Sequence, residues 1–289
     1  SQTSKMLHKI WEVPTVERVC KAAMGALPGS NVIVVVGIKA EEVVKTVGKK
    51  KSVSYAYQEV QKGTGHAVQI ALNNINDGGY EGTVYIFPGD MGLIDKETIE
   101  FFKESFTNSG ADMMVLTGIF EGPVSENYYG RILRVPGKLS KKVSSGDAGK
   151  VIEILEYKDI LNIEEKTDYK TKYKNEEINF TRGELLENRE FNSGVYAFKY
   201  RPLADLIQKI ESNNVQKEIY LTDLIGLFNN NGYSVEAVTP KEQYVLMGFN
   251  NKSVLKEMES VKRKLIYEKL KDVVTIDDPD DFFIDEDVV

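Results

Sequence analysis

Apolar residues along this chain fall into short continuous runs, separated by stretches in which they return every three or four positions. Residues 31–37 read NVIVVVG, a β-branched run closed by glycine, and the AEEVVKTVG that follows spaces its apolar residues at helical intervals. The pair predicts a strand followed by a helix. It recurs as TVYIFPGD followed by DKETIEFFKESF, and ADMMVLTG supplies a further strand. Runs that are apolar on both faces fit strands covered on both sides, and the strand–helix alternation predicts a doubly wound α/β sheet. Upstream, Val16, Val19, Cys20 and Ala23 form one stripe behind Pro14, which predicts a helix over residues 14–27.

The second half has another rhythm. RILRV, VIEILEY and FNSGVYAFKY read as strands joined by loops, so mixed or antiparallel pairing is expected there, with Glu156 inside one strand. Residues 161–190 are dense in Lys, Glu, Asn and Thr and show little apolar periodicity, which suggests a mobile excursion. Helices are expected over residues 202–212 and 221–229, a strand near VEAV, and a long helix from Ser253. Ser253 is available as its N-cap, and Leu255, Met258, Val261, Leu265, Tyr267 and Leu270 form its stripe.

Composition narrows the class. With 42% hydrophobic residues among 289, the chain can bury one large core, and no window approaches the roughly 20 apolar residues that span a bilayer. No basic, apolar and small-residue leader pattern is visible near Ser1, so a cytoplasmic protein without membrane contact is expected. The single cysteine, Cys20, excludes an intrachain disulfide or a cysteine metal cluster and reads as a buried helix residue. A formal charge of −7 argues against nucleic-acid binding, which depends on clustered cations. The basic run Lys49–Lys51 reads as a solvated turn. The acidic groups Asp277–Asp281 and Asp285–Asp287 lack the glycine and closing glutamate of a calcium loop and read as a solvated tail.

Candidate chemistry sits at predicted strand ends. Asp90 directly follows VYIF in F-P-G-D, so its carboxylate should emerge at the carboxyl edge of a central strand, where open α/β sheets bind ligands. A carboxylate there suits Mg²⁺, and it equally suits capping of the next turn. In Q-E-V-Q-K-G-T-G-H, Gly63 and Gly65 let backbone amides approach a ligand closely ahead of a helix start, as many ordinary turns also do. His66 reads as a packing residue. Gly130, Glu156, Asn192 and Thr222 each have a structural reading too: a bend, an exposed strand face, a turn and an N-cap. Asn250 and Asn251 read as a capping segment.

Taken together and in order, these segments carry a resemblance. S-K-M-L-H at Ser4, Q-x-x-Q-x-G-T-G-H-A at Gln58, G-D-x-x-L-I at Gly89, Y-G-R-I at Tyr129, E-x-K-D at Glu156, N-S-G at Asn192, E-x-Y-L-T-D at Glu218 and G-x-N-N at Gly248 resemble bacterial N-acetylglucosamine-1-phosphate uridylyltransferases along nearly the whole chain. The resemblance implies a Rossmann-like mixed sheet of the nucleotidyltransferase (GT-A-like) type with helices on both faces. It further implies Mg²⁺-dependent joining of UTP and N-acetylglucosamine 1-phosphate by in-line attack on the α-phosphorus. Gln58, Gly63 and Thr64 would hold the base, Lys5 would contact phosphate, and Asp90 and Asn250 would hold the metal. Gly130, Glu156, Asn192 and Thr222 would line the sugar and ribose. An ionised phosphate nucleophile needs no side-chain base, so a chain with two histidines suffices.

The same resemblance implies a nucleotidyltransferase domain over residues 1–270. Its first strand and Gly-rich loop would precede Ser1, and the acidic tail 271–289 resembles the lead-in to a left-handed β-helix. A monomer without acetyltransfer is expected of this polypeptide. Glu156 and Asn192 stand farther apart than in typical members. The competing readings are a pyrophosphorylase for another nucleotide or sugar, and a non-catalytic regulatory subunit of the same fold.

Overall fold

A computed structural model describes residues 4–75, 78–137, 145–174, 176–248 and 252–284. A short hairpin, β1 (Lys9–Ile10) and β2 (Val13–Pro14), leads into α1 (Thr15–Ala26). Then follow β3 (Val32–Val36), α2 (Ala40–Val47), β4 (Val53–Tyr57), α3 (Thr64–Leu72), β5 (Thr83–Ile86), α4 (Lys96–Ser109) and β6 (Met113–Ile119). The next segment holds β7 (Arg131–Arg134), β8 (Val151–Leu155), α5 (Tyr157–Leu161), β9 (Tyr169–Tyr173), β10 (Glu176–Phe180) and α6 (Arg182–Glu187). It closes with β11 (Glu190–Lys199), α7 (Tyr200–Ile207), α8 (Leu224–Asn230), β12 (Val235–Val238) and α9 (Lys252–Leu270).

The wide sheet is mixed, in the order β12-β6-β11-β7-β8, with β5 also against β11, and the pair β3-β4 runs parallel beside it. Alternation along the strands sorts side chains into two layers. Met113 and Val115 of β6 face α7 and α8 together with Tyr196 and Phe198. Met114 and Leu116 face α1 and α4 together with Val195 and Ala197. Both faces are thus covered by helices, as the doubly apolar runs require, but β11 runs antiparallel to β5, β6 and β7 at the centre. α4 is closed by its own sequence: Asp95 accepts from the Thr98 N–H at 2.8 Å, and Gly110 takes the left-handed conformation behind its last turn.

β11 has one edge occupied by β6 along nearly its whole length, so β5 and β7 must share the other. The register of β11 slips between Asn192 and Val195, where Gly194 adopts φ +82°. A side chain at Gly194 would come within 2.8 Å of Pro88 Cγ, so glycine is required on both conformational and steric grounds. This bulge sits at the seam between β5 and β7.

Several expectations need correction. Glu156 is not inside a strand: it follows β8 and opens α5, its carbonyl accepting the Asp159 and Ile160 amides at 3.0 and 3.1 Å. Among its described residues the excursion 161–190 carries regular structure, an antiparallel β9-β10 pair and a helix with a capping box between Thr181 and Glu184. Tyr173 and Ile178 bury against Val135 and Ile152, and Leu185 against Leu133 and Leu155. α7 ends at Ile207 rather than 212, residues 221–223 form a 3₁₀ turn ahead of α8, and α9 begins at Lys252, which places Ser253 inside its first turn. Asp277–Asp281 are exposed as expected, yet Ile276, Phe282 and Ile284 pack back onto Trp11 of the β1–β2 hairpin.

A docked hairpin makes a measurable claim. Ile178→Ala should destabilise the protein by about 2–5 kcal/mol in denaturant unfolding, the cost of emptying a core position. A change under about 0.5 kcal/mol would mark the segment as loosely attached.

Candidate active site

The site forms at the carboxyl ends of β5 and β6, around the seam beside β11. β5 ends at Ile86 and the chain turns through Pro88 and Gly89 to Asp90. The 3₁₀ turn Lys5–Leu7 seats on that loop, since a side chain at Gly89 would strike Met6 Sδ at 2.5 Å. Burial pushes the Asp90 carboxyl above the ordinary range, and the charge of neighbouring Lys5 works against the shift. Gly248 lies on the other side, where a Cβ would stand 3.7 Å from Asp90 Oδ1, and its backbone hydrogen-bonds the Tyr129 hydroxyl. Tyr129 stacks on Phe191 of β11 with ring centroids 4.6 Å apart. Lys5 and Asp90 are therefore brought together. Asn250, two residues past Gly248, lies outside the described residues.

Gly130, Glu156 and Asn192 also converge. Arg131 pairs with Leu155 across the β7–β8 ladder, which sets Gly130 opposite Glu156, and a Cβ on Gly130 would meet Glu156 Oε1 at 3.1 Å. The Asn192 N–H donates to the Gly130 carbonyl at 2.9 Å. Asn192 Oδ1 accepts from the Gly194 N–H and the buried Tyr196 hydroxyl, both at 2.9 Å. The bulge that holds Asn192 also presses Gly194 onto Pro88, so this trio and the Asp90 loop adjoin.

The third group is stitched together by backbone. Ile219 N–H donates to Lys62 O at 2.7 Å, Gly65 N–H to Ile219 O at 2.8 Å, and Leu221 N–H to Thr64 Oγ1 at 3.1 Å. On their Cβ side the glycines at 63 and 65 face Ile219. Side chains there would come within 2.7 and 2.8 Å of Ile219, so glycine is required for this loop to pack on the 219 segment. Gln58 is buried, and its Nε2 donates to the Gly63 carbonyl at 3.3 Å and lies 3.0 Å from His66 Nδ1, bracing the loop. Thr222 follows Leu221 and is 5% exposed, with no partner for its hydroxyl among the described residues.

Beside Glu156 opens a cavity of about 590 Å³, with Glu153, Asp159, Tyr169, Tyr220 and Asp223 on its walls and no Lys, Arg or His among its lining residues. Glu156 is pushed up to about 7, first by burial and then by the charges of Asp159, Asp223 and Glu218. Asp223 is pushed up to about 6 by burial, then by Glu153 and Asp159. A carboxyl poised near neutrality can accept a hydrogen bond from a ligand hydroxyl or donate one to a carbonyl. Asp223, Tyr169 and Tyr220 were not identified as site residues from sequence. Tyr169 was concealed in a stretch whose alternation, YKTKY, is masked by its lysines.

Metal fit is decided at Asp90. It offers a buried oxygen donor facing one lysine, and no three acidic, His or Cys side chains among the described residues are placed so that they could hold a metal ion together. Mg²⁺ bound through one or two protein ligands plus substrate phosphates suits that arrangement, whereas an all-protein cage does not.

No family model matches the chain. Its whole length aligns with proteins described as bifunctional protein GlmU. Identity is 34% over 289 residues with that of Acetivibrio thermocellus and 35% over 291 with that of Clostridium tetani, each alignment covering 100% of this chain. It covers 54% and 55% of those relatives, so the chain spans about half their length. In three dimensions it superposes on a Bacillus anthracis protein described as a glucose-1-phosphate thymidylyltransferase, with TM-score 0.59 at 14% identity, covering 96% of this chain and 90% of the other. It also superposes on a UDP-glucose pyrophosphorylase solved with UDP-glucose, with TM-score 0.57 at 16% identity, covering 92% and 90%. The fold is that of these sugar-1-phosphate nucleotidyltransferases. Within that class the chain is similar along its whole length to the proteins described as bifunctional GlmU and spans about half of theirs. No helix among the described residues is long and apolar enough to cross a membrane.

Glu156 gives a pH signature. Its folded value of about 7 exceeds the ordinary 4.5, so rising pH penalises the folded state from about 4.5 upward, in full above about 7. Glu156→Gln removes that penalty. Thermal unfolding should show the variant more stable than wild type at about pH 8, with the gap closing toward about pH 4.5. A gap of constant size across that window would mean that Glu156 ionises normally.

Proposed function

We propose that the chain carries the uridylyltransferase activity of a UDP-N-acetylglucosamine pyrophosphorylase, joining UTP to N-acetylglucosamine 1-phosphate with release of pyrophosphate. The observation that carries this reading is the adjacency of Asp90 and Lys5 to the Gly130–Glu156–Asn192 trio, across one bulge, in a chain homologous to GlmU along its full length. Asp90 and Asn250 would hold Mg²⁺, which when bound neutralises charge on the triphosphate. Lys5 would lie against phosphate. Gln58 and the Gly63–Thr64 turn would face the base, while Glu156, Asn192 and the unpartnered Thr222 hydroxyl would take the sugar and ribose hydroxyls. The sugar-phosphate oxygen, already ionised, attacks the α-phosphorus and pyrophosphate leaves, so the residues act by orientation and charge rather than by proton abstraction.

The sheet leaves room in this reading for one further strand between β3 and β5. α1 supports it: Val16 and Cys20 pack with Val34 and Val36 of β3, while Val19 and Ala23 pack with Tyr85 and Phe87 beside β5. Among the described residues β3 and β5 each use one edge, with no ladder between them. A strand between the two would complete the sheet beneath one helix.

The test is pyrophosphate release by the protein in its full natural length, with Mg²⁺, UTP and N-acetylglucosamine 1-phosphate. Thymidine triphosphate and glucose 1-phosphate serve as competitors. Asp90→Ala should lose about 100-fold or more in kcat, the scale expected when the principal charge-stabilising ligand is removed. Preference for the other pair, or an Asp90→Ala variant with undiminished rate, would overturn the assignment.

A further inference from the structure

Arg131 has no role in the account so far, although its side chain is the largest of those fully buried and carries a full charge. Among the described residues it makes no ion pair with a carboxylate. Its Nη2 donates to the Asn127 carbonyl at 2.7 Å and its Nη1 to the Tyr129 carbonyl. Its Nε and the Asn127 Nδ2 have no hydrogen-bond partner among the described residues. The guanidinium carbon lies 5.7 Å from the centre of the Tyr157 ring, and Tyr157 meets Tyr128 edge-on with centroids 5.4 Å apart. Stability gives no reason to keep this charge, since an apolar side chain of similar volume avoids the desolvation and is often neutral or stabilising.

What the contacts join is more informative. Arg131 grips the loop of residues 127–129 through two carbonyls, and that loop ends at Gly130. On its other side it rests on Tyr157, the first residue of α5, and Tyr157 directly follows Glu156. Gly130 and Glu156 face each other with the closest approach a glycine allows. A planar, forked cation can hold two carbonyls and stack on a ring at once, which lysine cannot.

We propose that Arg131 is a positioning residue for the sugar phosphate: clamped between the 127–129 carbonyls and the Tyr157 ring, it fixes the spacing of Gly130 and Glu156 without touching substrate. The inference rests on the reading that these two residues hold the sugar.

Steady-state kinetics on the full-length protein test it with Arg131→Lys, Tyr157→Leu, Tyr157→Phe and Glu156→Gln. Arg131→Lys and Tyr157→Leu should each raise KM for N-acetylglucosamine 1-phosphate about tenfold or more while KM for UTP stays within about twofold, as expected when a binding group is displaced rather than removed. Tyr157→Phe keeps the ring and should restore the sugar-phosphate KM lost in Tyr157→Leu. If both substrates' KM values rise together, or neither rises, Arg131 is merely structural and the proposal fails. Should Arg131→Lys not fold, the Tyr157 pair decides alone. Glu156→Gln separates the two readings: an unchanged sugar-phosphate KM there removes the sugar assignment itself, whereas an increase there with silent clamp variants removes only the role of Arg131.

Discussion

The structure depends on the antiparallel ladder of β11. Its residues Val195–Phe198 are at most 2% exposed and point alternately into the two helical layers, so each large side chain among them contributes about 1.5–3 kcal/mol by burial. Because β6 takes one edge and two shorter strands divide the other, the ladder has a seam. The bulge at Asn192–Gly194 lies in that seam, and the candidate site is assembled around it. A regular strand at the same place would turn Asn192 away from Gly130 and leave no room for Pro88.

The seam concentrates carboxyl groups that resist ionising. Asp90, Glu153, Glu156 and Asp223 are all shifted upward by burial, and Glu156 and Asp223 further by each other's neighbours. Such groups are costly in the free protein. Their cost falls when a cation or a hydroxyl-rich ligand enters, which couples occupancy to local stability. Arg131 has its charge met by carbonyl dipoles and an aromatic face instead.

Much of the fold was legible where one period dominates. NVIVVVG, VYIF and MMVLTG gave strands within a residue or two, because continuous β-branched and aromatic runs have few other uses. Asp90 was legible for the same reason: a strand end is easily located. The hairpin β9-β10 was not, since its inward residues Tyr169, Thr171 and Tyr173 alternate with lysines and carry little summed hydrophobicity. The partner of Gly63 and Gly65 was also beyond reach, because Ile219 is more than 150 residues away and only tertiary packing brings it near. Arg131 left only a faint mark, a cation opening the short strand RILR, and periodicity could not tell its buried guanidinium from that of Arg134, which pairs with Glu190.

The β1–β2 hairpin turns through Trp11 and Glu12, both at positive φ, an uncommon conformation for residues other than glycine. The turn delivers Trp11 to the far end of the chain: its indole N–H donates to the Ile284 carbonyl at 2.7 Å, and its ring stacks on Phe283 at 4.9 Å and under Arg263 at 5.6 Å. Trp11 is the sole tryptophan of the sequence. Tryptophan emission, excited where tyrosine does not absorb, therefore reports the contact between this hairpin and residues 282–284, and the central sheet is optically silent in that channel.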